Sequence, residues 1–148
     1  MVKPGDPALD VELSANDGSS VRLSALWAER PLLLIFYPGD DTAVCTKQLC
    51  EYRDRWADFR ALDAAVVGIN SANVDRHQRF ASRHDFPFPL LADPGQRCAA
   101  LYGAKAWYGT RRLTVLIDRS GIVRWMKTVN PFSRPRADEL LAAVRASR

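Results

Sequence analysis

The chain has 148 residues, 47% of them hydrophobic and 26% charged, with a net charge of +4. That balance suits one globular domain with a sizeable core and excludes a disordered or low-complexity polypeptide. The longest apolar run, PLLLIFYP, is too short to span a membrane, and the arginines are scattered rather than gathered into the dense, aromatic-interleaved runs of a polyanion-binding surface.

The opening MVKPGDPALD has no apolar stretch behind its lysine, so no secretory leader is expected and a cytoplasmic location is the default. Residues 8–23 alternate Leu9, Val11 and Leu13, then Val21 and Leu23, around an NDG turn, which predicts a β-hairpin. PLLLIFY at 31–37 predicts a strand buried on both faces. From 42 to 62, Cys45, Leu49, Tyr52, Trp56 and Phe59 recur at steps of four, three, four and three, predicting one long amphipathic helix. Asp40, Asp41 or Thr42 is placed to cap it. A second buried strand follows at 64–70 and a helix at 73–85, with Asn73 as its cap. Residues 88–94 form a short extended piece, and 95–103 a short helix ended by Gly103. Residues 112–128 form a hairpin around DRSG, and 136–147 a closing helix. Strands alternating with helices in this order predict an α/β sandwich with a mixed central sheet, as a single domain over residues 1–148.

Two of the three cysteines, Cys45 and Cys50, lie in DDTAVCTKQLC, directly after the buried strand. Their spacing fits neither a zinc pair nor a C-x-x-C redox motif. In an intact helix, five residues rise about 7.5 Å and turn about 140°, which sets the two Cα atoms about 8.6 Å apart. That exceeds the reach of a disulfide, about 7 Å, so a static staple is excluded and a reversible bond requires local unwinding. Cys45 falls in the first helical turn, where unpaired N–H groups and the helix dipole favour an anion, and a thiolate there is a nucleophile. By position alone, a small buried hydrophobe is an equal reading. His77 and His84 are expected on the solvated side of a polar helix, and Cys98, at helical spacing from Leu101 and Tyr102, is expected to be a buried bystander. With no paired ligand spacing among His77, His84 and Cys98, no metal site is expected.

FYPGDDTAVCTKQLC resembles the active-site segment of the peroxiredoxins, most closely the monomeric Q type, also called the bacterioferritin-comigratory type. The resemblance extends through VVGIN, RHQRFASRHDFPFPLLADP and RLTVLIDRSGIVRW. It implies a thioredoxin-like sandwich. Pro38, Thr42 and Cys45 match the family pattern of Pro, then Thr, two residues and Cys. By that match Cys45 resembles the peroxidatic cysteine, Thr42 the hydroxyl that holds peroxide and thiolate, and Pro38 the residue that shields the sulfur from water. Arg112, just before a late core strand, resembles the family's second active-site arginine. Its neighbour Arg111 points to the opposite face of a regular strand and reads as a surface charge. Cys50 resembles the resolving cysteine of members with both thiols on one helix. The chain has Ala43-Val44 where many members have Pro-Gly, Gln48 where Glu is common, which makes it a candidate polar support, and a shorter segment from Gly103 to Arg111. Trp107 and Tyr108, in that segment, are candidates to wall the site or simply to pack.

The resemblance implies a thiol peroxidase that forms a Cys45 sulfenic acid and a Cys45–Cys50 disulfide. Thioredoxin or a similar dithiol would recycle it, with no metal or other cofactor and no partner subunit. A thiol–disulfide oxidoreductase of the same fold would need the absent C-x-x-C. A redox-sensing or chaperone-like binding protein using Cys45 as a switch is the reading from another class.

Overall fold

The computed structural model describes residues 1–148. Its centre is a seven-stranded sheet built around β3 (Leu32–Phe36), β4 (Ala65–Asn70) and β8 (Leu113–Ile117). β3 runs parallel to β4, which runs parallel to β5 (Leu90–Ala92), and β3 runs antiparallel to β8. The edges are antiparallel. β1 (Glu12–Ala15) joins β5 to β2 (Ser20–Arg22), and β9 (Val123–Thr128) completes the other side against β8. No helix is long and apolar enough to cross a membrane.

The apolar run predicted as a doubly buried strand is β3, and its alternation divides the core in two. Leu33, Ile35 and Tyr37 face a cluster filled by α2 (Ala43–Asp54), α3 (Trp56–Ala61), α4 (Val74–His84) and α6 (Ala137–Ala146). Leu32, Leu34 and Phe36 face the other cluster, filled by α1 (Leu23–Glu29) and α5 (Arg97–Tyr102). Helices on both faces of a mixed sheet make the expected α/β sandwich. The same division separates the thiols: Cys45 belongs to the first cluster and Cys98 to the second, on opposite sides of the sheet.

Several elements differ from the sequence expectation. The opening hairpin is shorter than 8–23 and runs straight into α1, which at seven residues is too short for a helical period to show. A small hairpin of β6 (Lys105–Ala106) and β7 (Gly109–Thr110) carries Trp107 at its tip, 96% exposed, with Tyr108 beside it partly exposed. Trp107 therefore does not pack against the body of the protein. The long helix expected over 42–62 is two helices, because Arg55 leaves helical geometry (φ −101°, ψ 16°). Arg55 keeps the chain turning, so the apolar spacing continues across the break and does not reveal it. The bend sets Trp56 against Phe88 and Phe59 edge-on to Tyr52.

Gly68 in β4 lies under the Tyr37 ring. A Cβ built there would meet Leu90 Cδ2 at 2.8 Å and Tyr37 Cε1 at 3.0 Å. The absent side chain is what lets Tyr37 lie flat on the sheet and reach forward to the loop before α2. Gly68→Ala is expected to destabilise the fold by about 1–3 kcal/mol through overpacking, read as a lower denaturation midpoint with an unchanged denaturant slope. An unchanged midpoint would show that Leu90 alone yields the space.

Candidate active site

Cys45 is the third residue of α2, entirely buried, on the cluster side of the sheet that also receives Tyr37. Thr42 is the N-cap of that helix by backbone conformation, but no side-chain capping bond is made. Its exposed hydroxyl donates instead to the Gly39 carbonyl at 3.3 Å. Pro38 is half-buried, two residues past the end of β3.

Arg112 reaches Cys45 from across the sheet. The antiparallel register pairs Phe36 with Leu113, and both face the far cluster. Residue 112 therefore faces the near side, where Tyr37 lies, and Arg111 is turned outward and exposed. Arg112 is only 2% exposed. One terminal N–H group, Nη2, donates to Cys45 Sγ at 3.2 Å and to the Pro131 carbonyl at 3.2 Å. The other, Nη1, donates to Gln48 Oε1. Gln48 passes its own N–H to the Tyr52 hydroxyl at 3.0 Å, which in turn donates to the Pro135 carbonyl at 2.7 Å. Gln48 is thus the polar support of the guanidinium, one helical turn beyond Cys45. Arg112 Nε is buried without a hydrogen-bond partner. A buried donor in that state is rare in native proteins and is suited to an incoming oxygen atom.

A second polar cluster fixes the loop from which α2 starts. Asp40 is 1% exposed and accepts from the Tyr37 hydroxyl at 2.6 Å and from Asn70 Nδ2 at 3.0 Å. Its other oxygen faces His77 Nδ1 at 2.7 Å, while His77 Nε2 faces the Leu91 carbonyl at 3.0 Å. Both ring nitrogens thus face oxygen atoms. Burial alone would raise the Asp40 carboxyl, but the bonds from His77, Tyr37 and Asn70 hold it below its ordinary value. Burial, with Asp40 beside it, pushes the Tyr37 hydroxyl well above its own. Asp41, the next residue, takes a left-handed backbone (φ 62°) and pairs with Arg83 of α4.

His77 corrects the expectation of a solvated histidine: it is completely buried. Its place at steps of three and four before Phe80 and Ala81 puts it on the buried stripe of α4, and that spacing was the available signal. The polar composition of the helix hid it, and the partner that makes burial tolerable, Asp40, is 37 residues away. His84 is likewise not free in solvent. It is half-buried, stacked on Phe86 and edge-on to Phe80, with its Nδ1 3.7 Å from Cys50 Sγ.

All three cysteines are free thiols in unlike surroundings. Cys98 is buried, which pushes its thiol up to about 12, with Asp93 adding to the effect. Cys50 is half-buried on α2, and burial raises its thiol too, against the opposing charge of Arg53. Cys45 alone accepts a hydrogen bond from a cation, and such charge-assisted bonds are stronger than neutral ones. Cys45, Arg112 and Gln48 therefore form one unit. Cys50 stands apart against α4, and Thr42 and Pro38 flank the approach to α2.

Residues 4–126 match the model of the AhpC/TSA family. Peroxiredoxin Bcp of Bacillus subtilis is 33% identical over 136 residues, covering 85% of this chain and 86% of its own. Peroxiredoxin Q, chloroplastic, of Oryza sativa is 35% identical over 128 residues, covering 84% of this chain. The chain spans only 58% of that plant protein's length. Among solved structures, peroxidoxin BcpB of Mycobacterium tuberculosis superposes with a TM-score of 0.92 at 34% identity, covering 100% of this chain and 99% of its own. Family model, relatives and superposition agree with the sandwich and with the resemblance of the cysteine segment: the chain belongs to the AhpC/TSA family, as a peroxiredoxin similar to the Q and Bcp types.

Proposed function

We propose that residues 1–148 act as one domain and that this domain is a thiol peroxidase, with Cys45 as the peroxidatic sulfur. The observation that carries the reading is the buried Arg112 guanidinium donating to Cys45 Sγ at 3.2 Å, in the first turn of a helix. Helix N–H groups and a guanidinium both stabilise negative charge on the sulfur. In the reaction the Cys45 thiolate attacks one peroxide oxygen, the O–O bond breaks, and water or an alcohol leaves. The sulfur becomes a sulfenic acid. Arg112, whose Nε has no protein partner, serves as donor to the oxygens as charge develops on them. Thr42 supplies a hydroxyl to the peroxide once its side chain turns from Gly39, and Pro38 limits water at the sulfur. Cys45 has no exposed surface, so substrate entry requires a local opening above it.

Cys50 then attacks the sulfenic sulfur and closes an internal disulfide, and thioredoxin or a similar dithiol reduces it by exchange. Both thiols lie on α2 and are unbonded, so the bond requires that helix to open. Asp40, held by three buried partners, keeps the start of the segment fixed while the helix beyond it unwinds. Resolution within one chain needs no partner subunit, in keeping with a monomer.

Cys45→Ser is expected to abolish peroxide turnover with a dithiol reductant, because an alcohol supplies no comparable nucleophile. Cys50→Ser is expected to retain one oxidation per chain and lose recycling. Coupled peroxide-consumption assays and a thiol count after one equivalent of peroxide check both; turnover surviving in Cys45→Ser reverses the assignment. A redox sensor would show one oxidation without sustained turnover in the unaltered chain.

Arg112→Ala is expected to slow Cys45 oxidation by about 10²-fold or more, the usual loss on removing one electrostatic donor. Arg111→Ala is expected to leave it within about twofold, since that side chain faces outward. Equal effects in stopped-flow oxidation would remove the register argument.

Peroxide treatment is expected to lower the helical circular dichroism signal and to shift tryptophan fluorescence, because Trp56 begins the helix directly after α2. A dithiol is expected to reverse both changes, and Cys50→Ser to show no helix loss. An oxidised crystal with a Cys45–Cys98 bond and residues 42–50 still helical would contradict the mechanism.

A further inference from the structure

Cys50 has to lose a proton before it attacks, and its surroundings oppose that loss. Burial raises the thiol, and Asp54 acts in the same direction against Arg53. The side chain that its sulfur meets in a polar contact belongs to another element. His84 closes α4, 34 residues away in sequence, and its Nδ1 lies 3.7 Å from Cys50 Sγ.

The contact is held from both sides. The imidazole is stacked on Phe86, with ring centres 5.5 Å apart and planes at 25°, and meets Phe80 edge-on at 5.2 Å. The His84 carbonyl accepts from Arg53 Nη1 at 2.7 Å, and Arg53 follows Cys50 by three residues on α2. The charged groups facing the pair are thus Arg53 and Asp54 from α2, which bind each other at 2.9 Å, while α4 and the chain after it present the Phe80 and Phe86 rings. A half-buried imidazole with one nitrogen on a thiol sulfur and two aromatic rings fixing its plane is arranged for proton transfer.

We propose that His84 is the general base of the resolving step, taking the Cys50 proton while α2 is still folded. The assignment rests on the reading that Cys50 resolves Cys45. Cys50 Sγ–H gives its proton to His84 Nδ1, and the thiolate attacks the sulfur of the Cys45 sulfenic acid. The S–S bond forms as the S–O bond breaks, so the Cys50 sulfur is oxidised and the Cys45 sulfur reduced. The departing hydroxide takes up a proton and leaves as water. The imidazolium returns its proton to solvent or to that hydroxide, so one sulfenic acid and one thiol yield one disulfide and one water.

The test separates the two oxidation steps by stopped flow after a single equivalent of peroxide, with sulfenic acid trapped by a cyclic diketone and disulfides mapped. Two variants are used. His84→Phe keeps the aromatic stack and removes the nitrogen, and His84→Gln keeps a polar group without a base. Both are expected to leave the first oxidation within about twofold and to slow disulfide formation by about 10²-fold, the lower end of general-base contributions. Trapped sulfenic acid is expected to rise accordingly. Added imidazole and higher pH, which ionises Cys50 without help, are expected to restore the rate in the variants more than in the unaltered chain. A purely structural contact would not respond to imidazole. Disulfide formation at the unaltered rate in both variants, or a slowing that imidazole leaves untouched, overturns the role of His84. Absence of a Cys45–Cys50 disulfide in the unaltered chain overturns the resolving role itself, and with it this step.

Discussion

The buried Arg112 guanidinium is the constraint around which the site is built. A cation held out of water is costly unless its donors are matched. Here the Gln48 side chain, the Pro131 carbonyl and the Cys45 sulfur accept from the two terminal nitrogens, leaving Nε unpaired. Two of these acceptors come from α2 and the third from the loop after β9. The position of Arg112 in turn depends on the β3–β8 register, since a slip of one residue would send it to the far cluster and bring Arg111 inward. Sheet register, helix position and sulfur electrostatics are therefore linked through one side chain.

The loop between β3 and α2 is fixed by a different device. Asp40, Tyr37, Asn70 and His77 form a buried network that joins the ends of β3 and β4 to α4, with the Leu91 carbonyl of β5 as its last acceptor. Such networks add conformational specificity when every member is satisfied. The absence of a side chain at Gly68 belongs to the same arrangement, because the Tyr37 ring occupies that space. The result is a fixed starting point for α2. Beyond Cys45, Gln48 and Leu49, α2 is held by Tyr52 to the core, by Glu51 to Arg136 and the Ala137 N–H, and by Arg53 to the His84 carbonyl, with Cys50 beside His84 of α4.

Three thiols on one small protein receive three treatments. Cys98 is sealed under the opposite face with its proton held firmly, which suits an inert packing residue. Cys45 is equally buried but is met by a cation. Cys50 is half-buried beside an imidazole and flanked by an Arg–Asp pair. Burial alone thus does not decide reactivity; the polar group that burial brings within reach does.

The sequence by itself determined whatever depends on local pattern. The doubly buried β3, the Asn73 cap of α4, the hairpin around DRSG and the placement of Cys45 in a first helical turn all follow from spacing and turn chemistry within a few residues. That Arg111 and Arg112 face opposite ways follows from strand alternation, while the choice of Arg112 as the inward one came from the family resemblance. Only the tertiary structure decided the rest. The break at Arg55 keeps the apolar period and so leaves no trace in it. His77 and His84 read as surface residues because each needs a partner from a distant segment, Asp40 for one and Cys50 with Phe86 for the other. Gln48 became the support of Arg112 only once β8 was laid beside β3, 64 residues later in the chain. Local periodicity records which face of an element is buried; it does not record which polar group waits there, and that depends on contacts the chain makes only after the sheet has assembled.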